Sequence, residues 1–267
     1  MRYNMHIREV QPMTNNDIEN WWAARAMIAS YNHVYQVAFG TTYTDLGTIG
    51  VSHYGKAKVG ASFQIEFLAL CNQPEAVVQA IRAYPTRPGE EYVLDVFHPS
   101  FDSGSLIDQY ATLGFDFRST RTILGQKLPV PARGQSVVTY KILTSEQVAQ
   151  VNPKLAADGE MIYLQTVADP YIHNYAAEVD RQVAGWAQLV TVQPQVAYLH
   201  QLYTLVAFRR RGVAAALLDL VHAEAWKMGC QHVVLIPSTV AMALYARYAY
   251  RPLLYLSVFK PEKTGWL

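Results

Sequence analysis

The stretch Leu202-Tyr-Thr-Leu-Val-Ala-Phe-Arg-Arg-Arg-Gly-Val-Ala-Ala-Ala-Leu-Leu218 decides how the chain is read. Val196–Leu205 is apolar and aromatic and predicts a strand. Leu217, Leu218, Val221 and Ala225 recur at helical spacing over 212–228, and Gly229 stands where a helix should stop. A strand therefore runs through a short loop into a helix that starts near Gly212. Backbone amides at a helix start lack intrahelical partners, and the helix dipole adds partial positive charge there. Gly212, Ala214 and Ala215 are small enough for a ligand to approach the main chain. Arg209, Arg210 and Arg211 add cations. Together these features favour a diphosphate. A basic turn alone is usually a solvated surface and sometimes a nucleic-acid contact. The spacing lacks the Gly-Lys-Ser/Thr of a Walker loop and the three spaced glycines of the dinucleotide fingerprint.

Around this segment the second half reads as alternating elements. Strands are predicted at 137–143, 174–179, 183–192, 196–205, 233–236 and 253–259, and helices at 145–156, 212–228 and 239–248. The order β-α-β-β-β-α-β-α-β is a mixed α/β layer architecture. Lys127–Ser136, with two prolines and a glycine, marks a boundary near residue 132. The first half gives a strand at 6–10, a helix over 17–39 capped at Thr14–Asn16, and a strand at 63–70. A helix at 74–84 opening on Pro74, a strand at 92–97, a helix at 106–113 and a strand at 118–124 follow. Tyr110-Ala-Thr-Leu-Gly-Phe115 echoes Tyr245-Ala-Arg-Tyr-Ala-Tyr250, each before a strand, which raises the question of a duplicated fold.

The loop Arg209-x-x-Gly212-x-Ala214 resembles the acyl-CoA loop of the GNAT N-acetyltransferases, Arg/Gln-x-x-Gly-x-Gly/Ala. Leu202-Tyr203-Thr204 matches that family's preceding strand. Ser238-x-x-Ala241-x-x-Leu244-Tyr245-x-x-x-Ala249-Tyr250 matches its later helix. The resemblance covers about residues 137–260. Ser238 replaces the family's Asn, Ala249 replaces its Gly, and Ala207 stands where proline is common. The resemblance implies the GNAT acyl-CoA N-acyltransferase fold, with acetyl-CoA as co-substrate in a cleft between two splayed parallel strands, 196–205 and 233–236. It implies that the main chain of Leu202, Tyr203 and Thr204 pairs with the pantetheine arm. Arg209, Arg210, Arg211, Gly212, Val213 and Ala214 would wrap the pyrophosphate, with Ser238 as a further contact. It also gives the domains: 133–267 as the acetyltransferase, and 1–132 as a degenerate copy of the same unit or a substrate-covering domain.

The implied reaction is acetyl transfer to a primary amine by direct attack in a ternary complex. An amine must be neutral to attack, and the departing thiolate benefits from an acid. Tyr245 occupies the family's acid position; the alternative is a tyrosine packed in the core. His200, two residues before Leu202, shares its strand face by the period-2 rule, and imidazole suits proton removal near neutral pH. Arylalkylamine members of the family are similar in carrying histidine there. A structural histidine is the alternative, and Glu178 is a weaker base candidate. The competing function is a non-catalytic acyl-CoA-binding or sensing module.

Composition bounds these readings. The 267 residues are 51% hydrophobic and 16% charged with net charge +1, which disfavours long disorder and a DNA-coating role. Cys71 and Cys230 are too few for a disulfide framework and suit a reducing compartment. His53, His98, His173, His222 and His232 show no metal spacing, so no metal is expected. No apolar run is long enough for a membrane span, and the N-terminus lacks a signal-peptide core, so a cytoplasmic protein is expected. Expected partners are a small-molecule or peptide amine, with a homodimer left open and no nucleic acid or membrane. Trp21, Trp22 and the 18 tyrosines are read as core or interface, or as lining for an aromatic amine pocket.

Overall fold

A computed structural model describes residues 21–54, 63–71, 73–134 and 137–262. The strand expected at 6–10, the cap at Thr14–Asn16 and the last residues of the 127–136 linker lie outside the described residues. The first half contains α1 (Trp21–Phe39), β1 (Thr42–Asp45), β2 (Ile49–His53), β3 (Ile65–Ala69), α2 (Pro74–Ala83), β4 (Tyr92–His98), α3 (Gly104–Thr112) and β5 (Phe115–Lys127). The second contains β6 (Val138–Ile142), α4 (Ser145–Leu155), β7 (Ile172–Val179), β8 (Gln182–Gln193), β9 (Val196–Thr204), α5 (Val213–Lys227), β10 (His232–Leu235), α6 (Met242–Arg247) and β11 (Arg251–Pro261). No described helix is long and apolar enough to cross a membrane. From α1 to β5 the order is that of α4 to β11.

The chain forms two compact units that do not divide at residue 132. Among the described residues, one holds 21–22, 42–120 and 254–262; the other holds 23–41 and 121–253. The last strand of each half is thus shared out: most of β11 belongs with the first unit, and the end of β5 belongs with the second. Most of α1 is likewise part of the second unit.

In the first unit β1, β2 and β3 form an antiparallel meander. β3 and β4 pair in parallel along the whole of β3, from Ile65 opposite Tyr92 to Ala69 opposite Val96. β11 pairs antiparallel with β4, from Tyr255 opposite His98 to Phe259 opposite Leu94. Pro74, Val77, Val78 and Ile81 make one buried face of α2, and Phe67, Leu94, Val96, Tyr110 and Phe259 complete the core.

In the second unit β6, β7, β8 and β9 are successive antiparallel neighbours. β10 lies parallel to β9 on one side and antiparallel to β5 on the other, with Val233 opposite Gln126 and Leu235 opposite Leu124. The β7–β8 turn puts Asp180 and Arg181 at φ of 53° and 61°, the doubly left-handed turn that matches strand twist. α4 begins with a capping box between Thr144 and Gln147. Leu217, Leu218 and Val221 of α5 pack against Tyr175, Ala187, Leu189 and Leu199. Val148, Val151 and Leu155 of α4 pack against Ala176 and Trp186. Alternate residues of β7 and β8 thus serve different clusters, as the pleat requires.

Two differences from the sequence reading have local causes. β1 and β2 were not expected, because β2 is buried at Ile49, Gly50, Val51 and Ser52 and shows no alternation. The helix expected at 239–248 splits into a 3₁₀ turn at Thr239–Ala241 and the short α6.

Candidate active site

The parallel ladder between β9 and β10 runs from Val196 opposite His232 to Tyr198 opposite Val234 and stops. β9 continues through Leu199–Thr204, held by β8 on its other edge, where Leu202 faces Ala187, Tyr203 faces Trp186 and Thr204 faces Gly185. The ladder does not continue beyond Tyr198, although β10 runs on to Leu235. The Thr204 hydroxyl oxygen is buried here without a hydrogen-bond partner. An edge of unused strand and an orphaned polar atom fit the polar arm of an acyl carrier.

β9 ends in a 3₁₀ turn at Val206–Phe208, and α5 starts at Val213 with Gly212 as its N-cap. Arg210 and Gly212 sit at positive φ, 62° and 82°. Left-handed residues in such a turn gather successive amides into a concavity suited to anions. No side chain caps α5, so its first amides are left for another acceptor. The carboxylate of Asp158 accepts the Val206 amide at 2.7 Å and the Tyr203 hydroxyl at 3.3 Å, fastening the turn that precedes the loop.

The arginines differ from one another. Arg211 forms a 2.7 Å ion pair with Asp180 of the β7–β8 turn and lies over the Phe208 ring. Arg209 lies 6.0 Å from the Tyr203 ring centroid, and Arg209 and Arg210 are exposed. Val213 is fully packed, so only its main chain is left for a ligand. Ala214 is partly buried and Ser238 exposed.

Gly185, which the sequence reading passed over, faces Thr204 on β9. A Cβ on Gly185 would collide with the Tyr203 carbonyl and lie 2.9 Å from Val213 Cγ1. A glycine inside a strand signals such a close approach. Asp158 has no comparable sequence signal, since it meets Val206 only through the fold.

Tyr245 is 4% exposed, and its ring meets Tyr250 edge-on at 5.2 Å. Burial pushes its hydroxyl well above the usual tyrosine range, so it keeps its proton. The echo in the first half repeats the contact: Tyr110 meets Phe115 edge-on at 6.1 Å. Gly114 and Ala249, at matching places, both have positive φ, 87° and 58°.

His200 does not share a face with Leu202. The β8–β9 register shifts between Gln188, opposite Gln201, and Leu189, opposite Leu199. His200 is the extra residue of this bulge, which resets the alternation. Leu199 and Leu202 both pack on the α5 side. His200 lies instead near Tyr198 and the α1 residues Tyr31 and Tyr35, with ring centroids 5.8, 5.8 and 6.2 Å away. Its Nδ1 lies 2.7 Å from Gln188 Oε1. Glu178 accepts the Tyr140 hydroxyl at 3.0 Å. Burial first, and then this carboxylate, push Tyr140 up to about 12.

Four other histidines among the described residues have partners within the fold. His98 meets the Ser100 carbonyl and the Ser257 hydroxyl, His173 meets Thr191, His222 meets Tyr250 and His53 meets Glu90. Among the described residues no group of three or more His, Cys, Asp or Glu could hold a metal ion.

A strand that runs on past its parallel ladder and feeds an arginine-bearing, uncapped helix start suits an extended ligand that ends in an anion. The acetyltransferase (GNAT) family model matches residues 139–250, and the second half of the chain is a member of that family. No curated protein sequence matches the chain. Solved structures are similar over nearly all of it. A GCN5-related N-acetyltransferase from Kribbella flavida has a TM-score of 0.62 at 14% identity, covering 90% of this chain and 96% of that one. One from Sphaerobacter thermophilus has a TM-score of 0.58 at 12% identity, covering 91% and 92%. A tandem GNAT protein from the clavulanic acid biosynthesis pathway has a TM-score of 0.56 at 15% identity, covering 92% and 95%. At these identities the likeness is one of fold.

Proposed function

We propose that the protein transfers an acetyl group from acetyl-CoA to a primary amine by direct attack in a ternary complex. The observation that carries this reading is the end of the β9–β10 ladder at Tyr198 and Val234, beside a strand that leads into the uncapped start of α5. Bound there, acetyl-CoA supplies an activated acyl group. The open edge of β9 at Leu202–Thr204 holds the pantetheine amides. The amides of Gly212, Val213 and Ala214, with Arg209 and Arg210, hold the diphosphate; Arg211, paired to Asp180, braces the loop. Ser238 contributes at the rim.

His200 removes the proton that an ammonium must lose before its nitrogen can attack. Tyr245, kept protonated by burial, donates its hydroxyl proton to the departing sulfur. In the first half the strands corresponding to β9 and β10 are β3 and β4, paired without a gap, and the helix corresponding to α5 opens on Pro74. That half therefore leaves the coenzyme to the second. The loop that corresponds to 205–212 is the one before α2. A reducing, cytoplasmic setting suits the unpaired Cys71 and Cys230.

The test is release of free CoA thiol from acetyl-CoA in the presence of a panel of primary amines. Arg210→Glu combined with Gly212→Glu places anions at the diphosphate site and should abolish both binding, read by calorimetry, and thiol release. Binding without thiol release from any amine makes the protein a coenzyme-binding module. Unchanged binding by the folded double variant overturns the site.

A further inference from the structure

A line of hydrogen bonds runs from His200 into the second unit. Gln188 Oε1 lies 2.7 Å from His200 Nδ1, and Gln188 Nε2 donates to Asn174 Oδ1 at 2.9 Å. Asn174 Nδ2 donates to Thr166 Oγ1 at 3.1 Å, and Thr166 Oγ1 donates to the Tyr163 carbonyl at 2.6 Å. Thr166, Asn174 and Gln188 are 0%, 1% and 1% exposed.

The direction of this line follows from its far end. A carbonyl can only accept, so the single hydroxyl proton of Thr166 is committed to Tyr163. Thr166 Oγ1 must then accept from Asn174, which turns the Asn174 amide group towards Thr166 and its oxygen towards Gln188. Gln188 must donate to that oxygen, so its own oxygen faces His200. An oxygen there accepts only from a protonated Nδ1. Reversing any amide would set donor against donor or oxygen against oxygen in a buried site, at a cost of about 1–3 kcal/mol.

We infer that Thr166, Asn174 and Gln188 are positioning residues that hold His200 as the Nδ1–H tautomer and so keep the proton-accepting lone pair on Nε2. The inference rests on the reading of His200 as the base for its functional weight, but not for its geometry. Thr166 is not a neighbour of His200 in the line, yet its one hydroxyl proton sets which imidazole nitrogen is basic. The bulge at His200 supplies the other half of the device, because it presents the ring on the face that carries Gln188.

The test uses the full-length protein labelled with ¹⁵N-histidine, at a pH of about 8 where an unperturbed imidazole is neutral. Long-range proton–nitrogen correlation spectra read the tautomer, with the His200 signal assigned by its loss in His200→Gln. The wild type should show a protonated Nδ1 and an unprotonated Nε2. Thr166→Val should give a mixture of tautomers and lower kcat about tenfold, with KM unchanged, as expected when a general base is partly misoriented. Thr166→Ser, which restores the hydroxyl, should recover both the single tautomer and kcat. A wild type protonated on Nε2, or a folded Thr166→Val protein whose His200 stays wholly Nδ1–H, overturns the inference. If Thr166→Val shifts the tautomer while kcat holds, the relay stands and His200 is not the base.

Discussion

Tyr198 and Val234 are the last residues to face each other across β9 and β10, whereas Ala69 and Val96 still face each other at the end of β3 in the first half. On the proposed reading, two segments of the same order thus differ in whether a polar arm has room between their strands. The helix starts differ in the same sense: α5 begins after Gly212 with a full set of amides, and α2 begins with a proline that has none to offer at that position. Calorimetric titration with acetyl-CoA should therefore give one site per chain. Two sites of comparable affinity would mean that the first half opens where its ladder is closed.

Tyr245→Phe removes the hydroxyl and keeps the edge-on ring contact with Tyr250. Turnover should fall about 10²-fold, the lower end of what a general acid contributes, while affinity for acetyl-CoA changes little. Because burial raises the Tyr245 hydroxyl far above its ordinary value, the wild-type rate should show no alkaline decline from this group up to a pH of about 10. Equal kcat in the two proteins would remove Tyr245 from the chemistry and leave it as core.

Much of the second half was legible because its signals are local. Arg209-x-x-Gly212-x-Ala214, the helical spacing of Leu217, Leu218 and Val221, and the stop at Gly229 all lie within one short segment, and the structure places α5 within one residue of that reading. What was not legible depends on partners distant in sequence. Whether the end of β5 pairs with β10, and β11 with β4, is set by pairings that no period in either strand encodes. The face taken by His200 was misread because a bulge adds a residue on one strand only, and alternation counted along β9 alone does not contain it. The place of α1 in the second unit, with Tyr31 and Tyr35 beside His200, has the same cause.

Gly185→Ala tests whether close approach fixes the start of α5. The added methyl group meets the Tyr203 carbonyl and Val213 Cγ1, one in the strand proposed to hold the coenzyme and the other at the first residue of the helix. Backbone cannot yield as a flexible side chain would, so the variant should lose about 1–3 kcal/mol of stability in urea titration. Acetyl-CoA affinity should fall with it, because Tyr203 and Val213 lie at the two ends of the proposed diphosphate loop. A variant with wild-type stability and affinity would show that β8 and β9 separate here without cost.

His222 gives a prediction on pH. It is 2% exposed on the buried face of α5, its Nε2 lies 2.8 Å from the Tyr250 hydroxyl, and burial holds its pKa down to about 4, with Asp219 opposing weakly. The unfolded chain protonates this group near 6.5. Between those values unfolding takes up a proton, so stability is complete above about pH 6.5 and declines as the pH falls towards 4, by about 1.4 kcal/mol per pH unit for this group. His222→Gln keeps a polar side chain for Tyr250 and removes the titration. Its urea-unfolding free energy should decline less steeply over that window by about one proton's worth of slope, whatever its offset at pH 7. An acid limb of unchanged slope would mean that His222 is protonated in the folded protein, and that the Tyr250 hydroxyl serves it as an acceptor.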